Sequence, residues 1–458
     1  MLFYGREHEM ALLRRYQKIS RTGPSQMVVV AGRRSVGKSR LVHEAVNEPN
    51  GRTPFLYFFV NPDKTEKGNV DAFLRLHADA LGVADLPVTF PDLRSLVECI
   101  LQRSKTQPMT LVIDEFQNLK TVSPAFFGDL QELWDRYAVQ ARLLLVTAGS
   151  DTPAMREIMH NPKAPLYGRL SIFIRLQPLP IVVLRQILED HSHGCATADD
   201  HLALWMLTGG VAKYVERLMD AGCVTKEAMI EHAASPSSCF WTEGELLLKA
   251  VFKRDVATYF AVLEAVSQGV SERAKLTALF QKEIDISGHL KKLEEHFSLL
   301  TREKPFDAGA KCRHFRLLVD DAFLRFWFRY LFANRSLLEL GPGGSKQLAH
   351  AILTDFPEYA AESLRQYFMR GLMESGTVSK CGAWWNRKGG DEIDLVAHQL
   401  FAKRLLFIEV KRDPRKIDLR KLKEKSFAFL AANPAYSNCE IAWEGRSLDD
   451  IKRPSQAD

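Results

Sequence analysis

Residues 26–39 read QMVVVAGRRSVGKS, and no other stretch narrows the possible folds as much. A short, unbroken, valine-rich run suits a strand buried on both faces, as in a parallel sheet. It leads directly into Gly32, and Gly32 to Ser39 satisfies the spacing GxxxxGK[ST]. Each position has a physical task. Gly32 and Gly37 let the backbone amides of the intervening Arg33, Arg34, Ser35 and Val36 turn inward around phosphate oxygens. Lys38 reaches the outer phosphates, and Ser39 offers a hydroxyl to magnesium. Arg40 then opens RLVHEAV, an amphipathic helix whose N-terminus points at the anion. The pattern predicts ATP and Mg2+ as ligands. A glycine-rich turn without function is the alternative, and it leaves the placement between strand and helix unexplained.

A phosphate loop needs an acidic strand end beside it, and MTLVIDEFQNL (residues 109–119) supplies one. Asp114 is placed to hold magnesium through water, and Glu115 to orient and polarise the attacking water. Two adjacent carboxylates at a buried strand end are costly unless metal or donors neutralise them. A third strand in ARLLLVTAGSD ends in Thr147 and Ser150. Ser150 either contacts the γ-phosphate or the water, or caps the helix that starts near Thr152. APLYGRL puts Arg169 before a further strand, SIFIRL. A charge there either stabilises the transition state, in cis or in trans, or belongs to a surface arginine.

Taken together, FYGREHEMALL (3–13), GRRSVGKS, DEFQ (114–117), PLYGR (165–169) and GGVAKYVE (209–216) resemble the DEXX-box archaeal-type P-loop ATPases, relatives of the signal-transduction NTPases and AAA proteins. Ala212 stands where that family usually has proline. The resemblance covers nearly the whole chain. It implies an α/β P-loop NTPase core over 1–185 and a helical lid over 186–244. It further implies a winged helix-turn-helix with an aromatic connector over 245–335 and a PD-(D/E)XK, restriction-endonuclease-like domain over 345–458. It also implies that Arg6 and Glu7 border the adenine.

The middle of the chain reads as helices. Residues 180–235 are helical by period, broken at Gly209-Gly210. From Asp255 to Leu300 three helical stretches break at Gly269 and near Asp285, and TREKPFDAGAKCRHFRLLVDD alternates around a turn. Three helices and a hairpin suit a winged helix, with His289, Lys291 and Lys292 on the third helix available to phosphates. Protein docking is the equal alternative. DDAFLRFWFRYLF (320–332) has the spacing of a buried helix.

Near the C-terminus, GDEIDLVAHQLFAKRLLFIEVKRD reads as two strands joined by a polar turn. By the period of two, Glu392 and Asp394 share one face, and Glu409 and Lys411 share another. Pairing can bring Asp394 beside Glu409, a metal-binding pair with Lys411 positioning water. An upstream helix offers Glu362, then Glu358, as a further acid. Arg420, Lys421, Lys423 and Lys425 either meet phosphates or form a solvated helix face. Trp384 and Trp385 suit core packing. The alternative for the whole cluster is an inactive scaffold with Lys411 ion-paired to the acids.

A net charge of +6 permits a polyanion partner without requiring one. Seven cysteines scattered without a CxxC speak for a reducing compartment and against structural zinc. The N-terminus lacks a signal-peptide core, and no apolar run approaches a membrane span. The expectation is a cytoplasmic ATPase without a membrane partner. DNA or a protein is its candidate macromolecular partner, and its oligomeric state is open. Two functions stay in play: an ATPase coupled to a DNA-directed, nucleolytic module, and a nucleotide-dependent switch that binds proteins and cuts nothing.

Overall fold

The valine-rich run forms β1 (Gln26–Ala31), whose residues from Met27 to Ala31 are all fully buried. Burying a valine side chain contributes about 1.5–3 kcal/mol, so this strand is a strong organiser of the N-terminal region. The computed structural model describes residues 1–47, 53–83, 89–150, 152–252, 254–280, 285–309, 312, 314–386 and 390–452. They divide into two compact units, Tyr4–Pro178 and Leu179–Asp458 with Met1–Phe3.

In the first unit, β1 joins β2 (Phe55–Phe59), β3 (Met109–Asp114), β4 (Leu143–Gly149) and β5 (Ile172–Arg175) in the order β2-β3-β4-β1-β5. Every pairing is parallel. Parallel neighbours need long crossovers, and helices such as Lys38–Val46, Leu93–Arg103 and Phe126–Tyr137 provide them. Asp92 starts the second of these helices by accepting a hydrogen bond from Ser95 N. β4 lies between β1 and β3, with Ala31 opposite Gly149 and Ile113 opposite Thr147. The C-terminal ends of these three strands therefore lie side by side, and open α/β sheets place their ligands at such ends.

The second unit starts with helices Ile181–Ser192, Ala198–Thr208, Ala212–Asp220, Lys226–Ala233 and Cys239–Val251. Helices Val256–Ser267, Arg273–Phe280 and Ser287–Lys291 follow, then an antiparallel hairpin of β6 (Leu300–Glu303) and β7 (Arg316–Val319). The helix break expected near Asp285 and the hairpin turn include residues 281–284, 310, 311 and 313, which lie outside the described residues. The expected third helix is shorter than its period suggested. It gives way to π-helical turns over Lys292–His296.

The aromatic segment is buried as expected, with α-helix over Ala322–Phe326 and π-helical turns over Trp327–Phe332. Trp327 donates its indole N–H to Trp241 O at 2.9 Å. A 33-residue helix, Pro342–Glu374, leads into β8 (Lys380–Trp385), β9 (Glu392–Gln399) and β10 (Arg404–Val410). Helix Leu419–Ala432 then crosses over to β11 (Glu440–Arg446). The order is β11-β10-β9-β8, antiparallel except for the parallel β10/β11 pair. Trp384 packs edge-on to Phe429 at 5.6 Å in a core cluster that also holds Phe306, Phe407 and Leu422.

Candidate functional site

The phosphate loop is built from backbone constraints. Gly37 adopts φ 100° and Ser35 φ 69°, which turn the chain back on itself before helix Lys38–Val46. Gly32 has a different reason: a Cβ there would sit 2.5 Å from Leu176 O, so only glycine lets the loop pass β5's end. Lys38 is buried and donates to Gly32 O at 2.9 Å and Arg33 O at 3.1 Å. Burial holds its ammonium below the usual lysine range, with Glu115 and Asp114 opposing. A desolvated cation at a helix N-terminus favours an incoming anion. Val36 N bonds back to Arg33 O within the loop, Arg34 is exposed, and Arg40 turns along the helix toward Glu44 at 4.0 Å.

At the end of β3, Asp114 is buried and its charge is met by donors. Its Oδ2 accepts from Ser39 Oγ at 2.7 Å and from the Tyr57 hydroxyl, and its Oδ1 accepts from Glu115 N at 2.9 Å. Burial, followed by the bond to Asp114, holds the Tyr57 phenol well above its ordinary range, so it remains a donor. Sequence reasoning missed Tyr57. Its signal was the single hydroxyl-bearing ring in the strand FLYFF. Glu115 occupies the left-handed region at φ 53°, which is costly for a residue with a side chain and is found where geometry matters to function. Its Oε2 accepts from Ser150 Oγ at 2.6 Å and from Gln117 Nε2. Ser150 thus meets Glu115 directly, and neither of its expected roles describes that bond.

The expectation for Arg169 as a cis contact to the γ-phosphate needs correction. Ser171 N bonds to Met27 O at 2.8 Å, which fixes the Arg169 region at the start of β1, whereas the phosphate loop follows its end. Strand rise sets roughly 15 Å between those levels. Arg169 instead forms a two-pronged ion pair with Asp135, at 2.8 and 2.6 Å. Arg6 is buried at φ 72° and donates to Gln177 O, with Glu9 at 3.4 Å.

In the second unit, Phe407 pairs with Val396 and Ile408 with Leu395, which brings Asp394 and Glu409 to the same level of the sheet. Asp394 Oδ2 accepts from Val410 N at 2.8 Å and Lys411 Nζ at 3.0 Å. Glu409 Oε1 lies 3.6 Å from Lys411 Nζ, while its Oε2 accepts from Asp418 N at 2.7 Å. Burial works against the Lys411 charge, but Asp394 and Glu409 outweigh it and raise its pKa. Glu362 is elsewhere engaged: it is exposed and meets Arg329 at 3.5 Å. Among the described residues, no group of three or more His, Cys, Asp or Glu is arranged to hold a metal ion.

The basic candidates divide. His289 is mostly buried, 3.7 Å from Asp255 and edge-on to Tyr259, so its expected availability to phosphates is corrected. Lys291 and Lys292 are exposed, Lys291 lying 3.9 Å from Glu295. On helix Leu419–Ala432, Lys425 donates to Glu392 O and Lys423 lies over the Trp443 ring. Lys421 lies 3.8 Å from Asp418, and Arg420 is exposed.

The sheet order, the loop and the acid at the end of β3 define a P-loop NTPase core followed by an α/β region with a mixed sheet. Comparison with known proteins agrees. Residues 3–218 match the family described as an ATPase domain predominantly from Archaea, and residues 327–422 match archaeal and bacterial proteins of unknown function. Residues 3–218 are thus similar to an archaeal-type ATPase domain and have the P-loop NTPase fold. It is 26% identical to an uncharacterised protein of Methanocaldococcus jannaschii over 430 residues, 92% of this chain and 90% of that one. Its fold is similar to that of a Walker-type ATPase of Pyrococcus abyssi, with TM-score 0.52, 15% identity, and coverage of 71% of this chain and 96% of that one. The ORC2 protein of Aeropyrum pernix aligns with TM-score 0.47 and 14% identity, over 76% of this chain and 95% of that one. No helix among the described residues is long and apolar enough to cross a membrane.

Proposed function

We propose that this chain is a magnesium-dependent ATPase of the DEXX-box type whose cycle drives a DNA-directed C-terminal module. The observation that carries the hydrolytic reading is the junction of Ser39, Asp114 and Glu115 at the phosphate loop. The Ser39 hydroxyl and the Asp114 carboxylate are hard oxygen donors 2.7 Å apart, a set that suits Mg2+ completed by substrate phosphates and water. When bound, the ion supplies charge neutralisation at the β- and γ-phosphates. Lys38 and the loop amides hold the triphosphate. Glu115 orients a water toward the γ-phosphorus and takes its proton as the bond to the β–γ bridging oxygen breaks, leaving ADP and inorganic phosphate. Lys38→Ala should weaken nucleotide binding. Glu115→Gln should retain binding and lose about two orders of magnitude or more in turnover. Full turnover in Glu115→Gln would remove that residue from the mechanism. A part for Arg169 in hydrolysis requires a second copy of the chain.

The DNA-directed reading rests on three helices and a hairpin in winged-helix order over 245–335, with Lys291 and Lys292 exposed. The division into core (1–185), lid (186–244), winged helix and nuclease-like domain (345–458) belongs to the same proposal. The helix–β8–β9–β10–helix–β11 order and the Asp394, Glu409 and Lys411 cluster support a PD-(D/E)XK-like domain. A second reading is favoured by the ion pairing of that cluster. There Lys411 neutralises both acids, Glu362 takes no part, and the domain is a scaffold in a nucleotide-dependent switch that docks a protein. ATPase assays with and without DNA, scored in parallel for nicking, separate the two. DNA-stimulated turnover supports the first reading. Turnover indifferent to every DNA form, without nicking, supports the second.

A further inference from the structure

Gln117 lies three residues past the buried acid of β3 in DEFQ, and the proposed hydrolytic mechanism gives it no task. Its surroundings are specific. Its amide nitrogen donates to Glu115 Oε2, the oxygen that also accepts from Ser150 Oγ, and lies 3.4 Å from that hydroxyl. Its amide oxygen is buried and has no hydrogen-bond partner among the described residues. That oxygen is seated where β4 ends: a Cβ on Gly149 would lie 2.6 Å from it, and equally close to Met155 Cγ and Sδ. The glycine at the end of β4 therefore makes room for this side chain. Turning the amide over would set its oxygen against a carboxylate and bring two acceptors together, so the chemistry selects one orientation.

Leaving a buried carbonyl without a partner costs free energy, about 1–3 kcal/mol for an ordinary polar group. A methionine would fill the same space without that cost. What glutamine adds is a donor aimed at Glu115. We propose that Gln117 is a positioning residue for ATP hydrolysis: with Ser150 it holds Glu115 Oε2, which leaves Oε1 to accept a proton from the attacking water. The strained φ of Glu115 aims the carboxylate from the backbone side, and the two donors fix its rotation from the other side. Gln117 joins the site through its bonds to Glu115 and Ser150, so its effect passes through Glu115.

This inference rests on the hydrolytic role of Glu115 and is tested with the full-length chain and ATP. Gln117→Met keeps the length and packing against Gly149 and Met155 while removing the donor. Expected are a fall in kcat of about tenfold or more, as for a misaligned general base, and a KM for ATP within about threefold of wild type. The thermal unfolding midpoint should match or exceed wild type. In the Glu115→Gln background, Gln117→Met should cause no further loss, because there is no carboxylate left to position. Wild-type kcat in Gln117→Met, alongside slow Glu115→Gln, overturns the inference and leaves the hydrolytic reading standing. So does an equal loss from Gln117→Met in both backgrounds. Wild-type turnover in Glu115→Gln, or no turnover in the wild type, overturns the hydrolytic reading and the inference with it.

Discussion

Replacing Lys411 by methionine tests what the cluster near the end of β10 is for. The change keeps the side chain's apolar stem and removes its charge, leaving Asp394 and Glu409 facing one another. Their nearest oxygens lie 3.0 and 3.6 Å from the lysine nitrogen. At an effective dielectric of about 20, a unit pair at such separations attracts by about 5 kcal/mol before any solvation cost. The Lys411 side chain is 36% exposed, so water already screens much of that attraction and would reach the acids once the charge is gone. Breaking a fully buried pair costs about 3–5 kcal/mol; this half-buried one should cost about 1–3 kcal/mol. Urea unfolding at neutral pH and low salt reads the loss. Adding Asp394→Asn to Lys411→Met should recover part of it, since one of the two uncompensated charges disappears. The lysine's pKa is raised in the folded chain, because Asp394 and Glu409 together outweigh burial. Its contribution is therefore complete below the unfolded-state lysine value of about 10.4 and disappears only as pH rises through the folded value. The difference between wild type and Lys411→Met should accordingly stay level from pH 6 to about 9. An unchanged urea midpoint in Lys411→Met would refute the ion-pair argument. If that variant also lost a metal-dependent DNA cleavage present in wild type, catalysis would be the better account of the cluster.

Gly149→Ala forces a Cβ to within 2.6 Å of Gln117 and Met155, so it should cost about 1–3 kcal/mol in thermal or urea unfolding and lower ATP turnover as well. If DNA is the partner, its affinity should fall steeply between low and moderate salt in a binding titration, and Lys291→Glu with Lys292→Glu should flatten that slope. His201 is almost fully buried, 2.7 Å from Glu189, and burial lowers its pKa despite that carboxylate. The unfolded chain then takes up a proton that the folded chain resists. Stability should decline as pH falls below about 6.5, and urea midpoints of His201→Gln should lose that part of the pH dependence.

The local chemistry of the nucleotide site was legible because it is written in contiguous residues. A phosphate loop is a strand, a turn and a helix start in succession, and the glycines, Lys38 and Ser39 occupy their positions within eight residues. The valine run and MTLVID announced buried strands for the same reason: apolar residues without alternation have only a two-sided interior to fill. In the C-terminal region, the period of two placed Glu409 and Lys411 on one face before any partner strand was known.

Tertiary structure decided what meets what across sequence distance. Nothing in FLYFF says that Tyr57 will share an Asp114 oxygen with Ser39; that follows from β2 pairing with β3 in register. Ser150 reached Glu115 because β4 inserts between β1 and β3, an order no local pattern encodes. For Arg169, placed before the strand SIFIRL, sequence left a transition-state role and a surface arginine open; a parallel strand begins at the opposite edge from where its neighbour ends, and there Arg169 meets Asp135. Glu362 meets Arg329 and His289 meets Asp255, pairings between segments far apart in sequence. Charge and periodicity are local properties and survive in the sequence. The pairing of charges depends on strand order and register, which form only when distant segments pack together and bury their apolar faces.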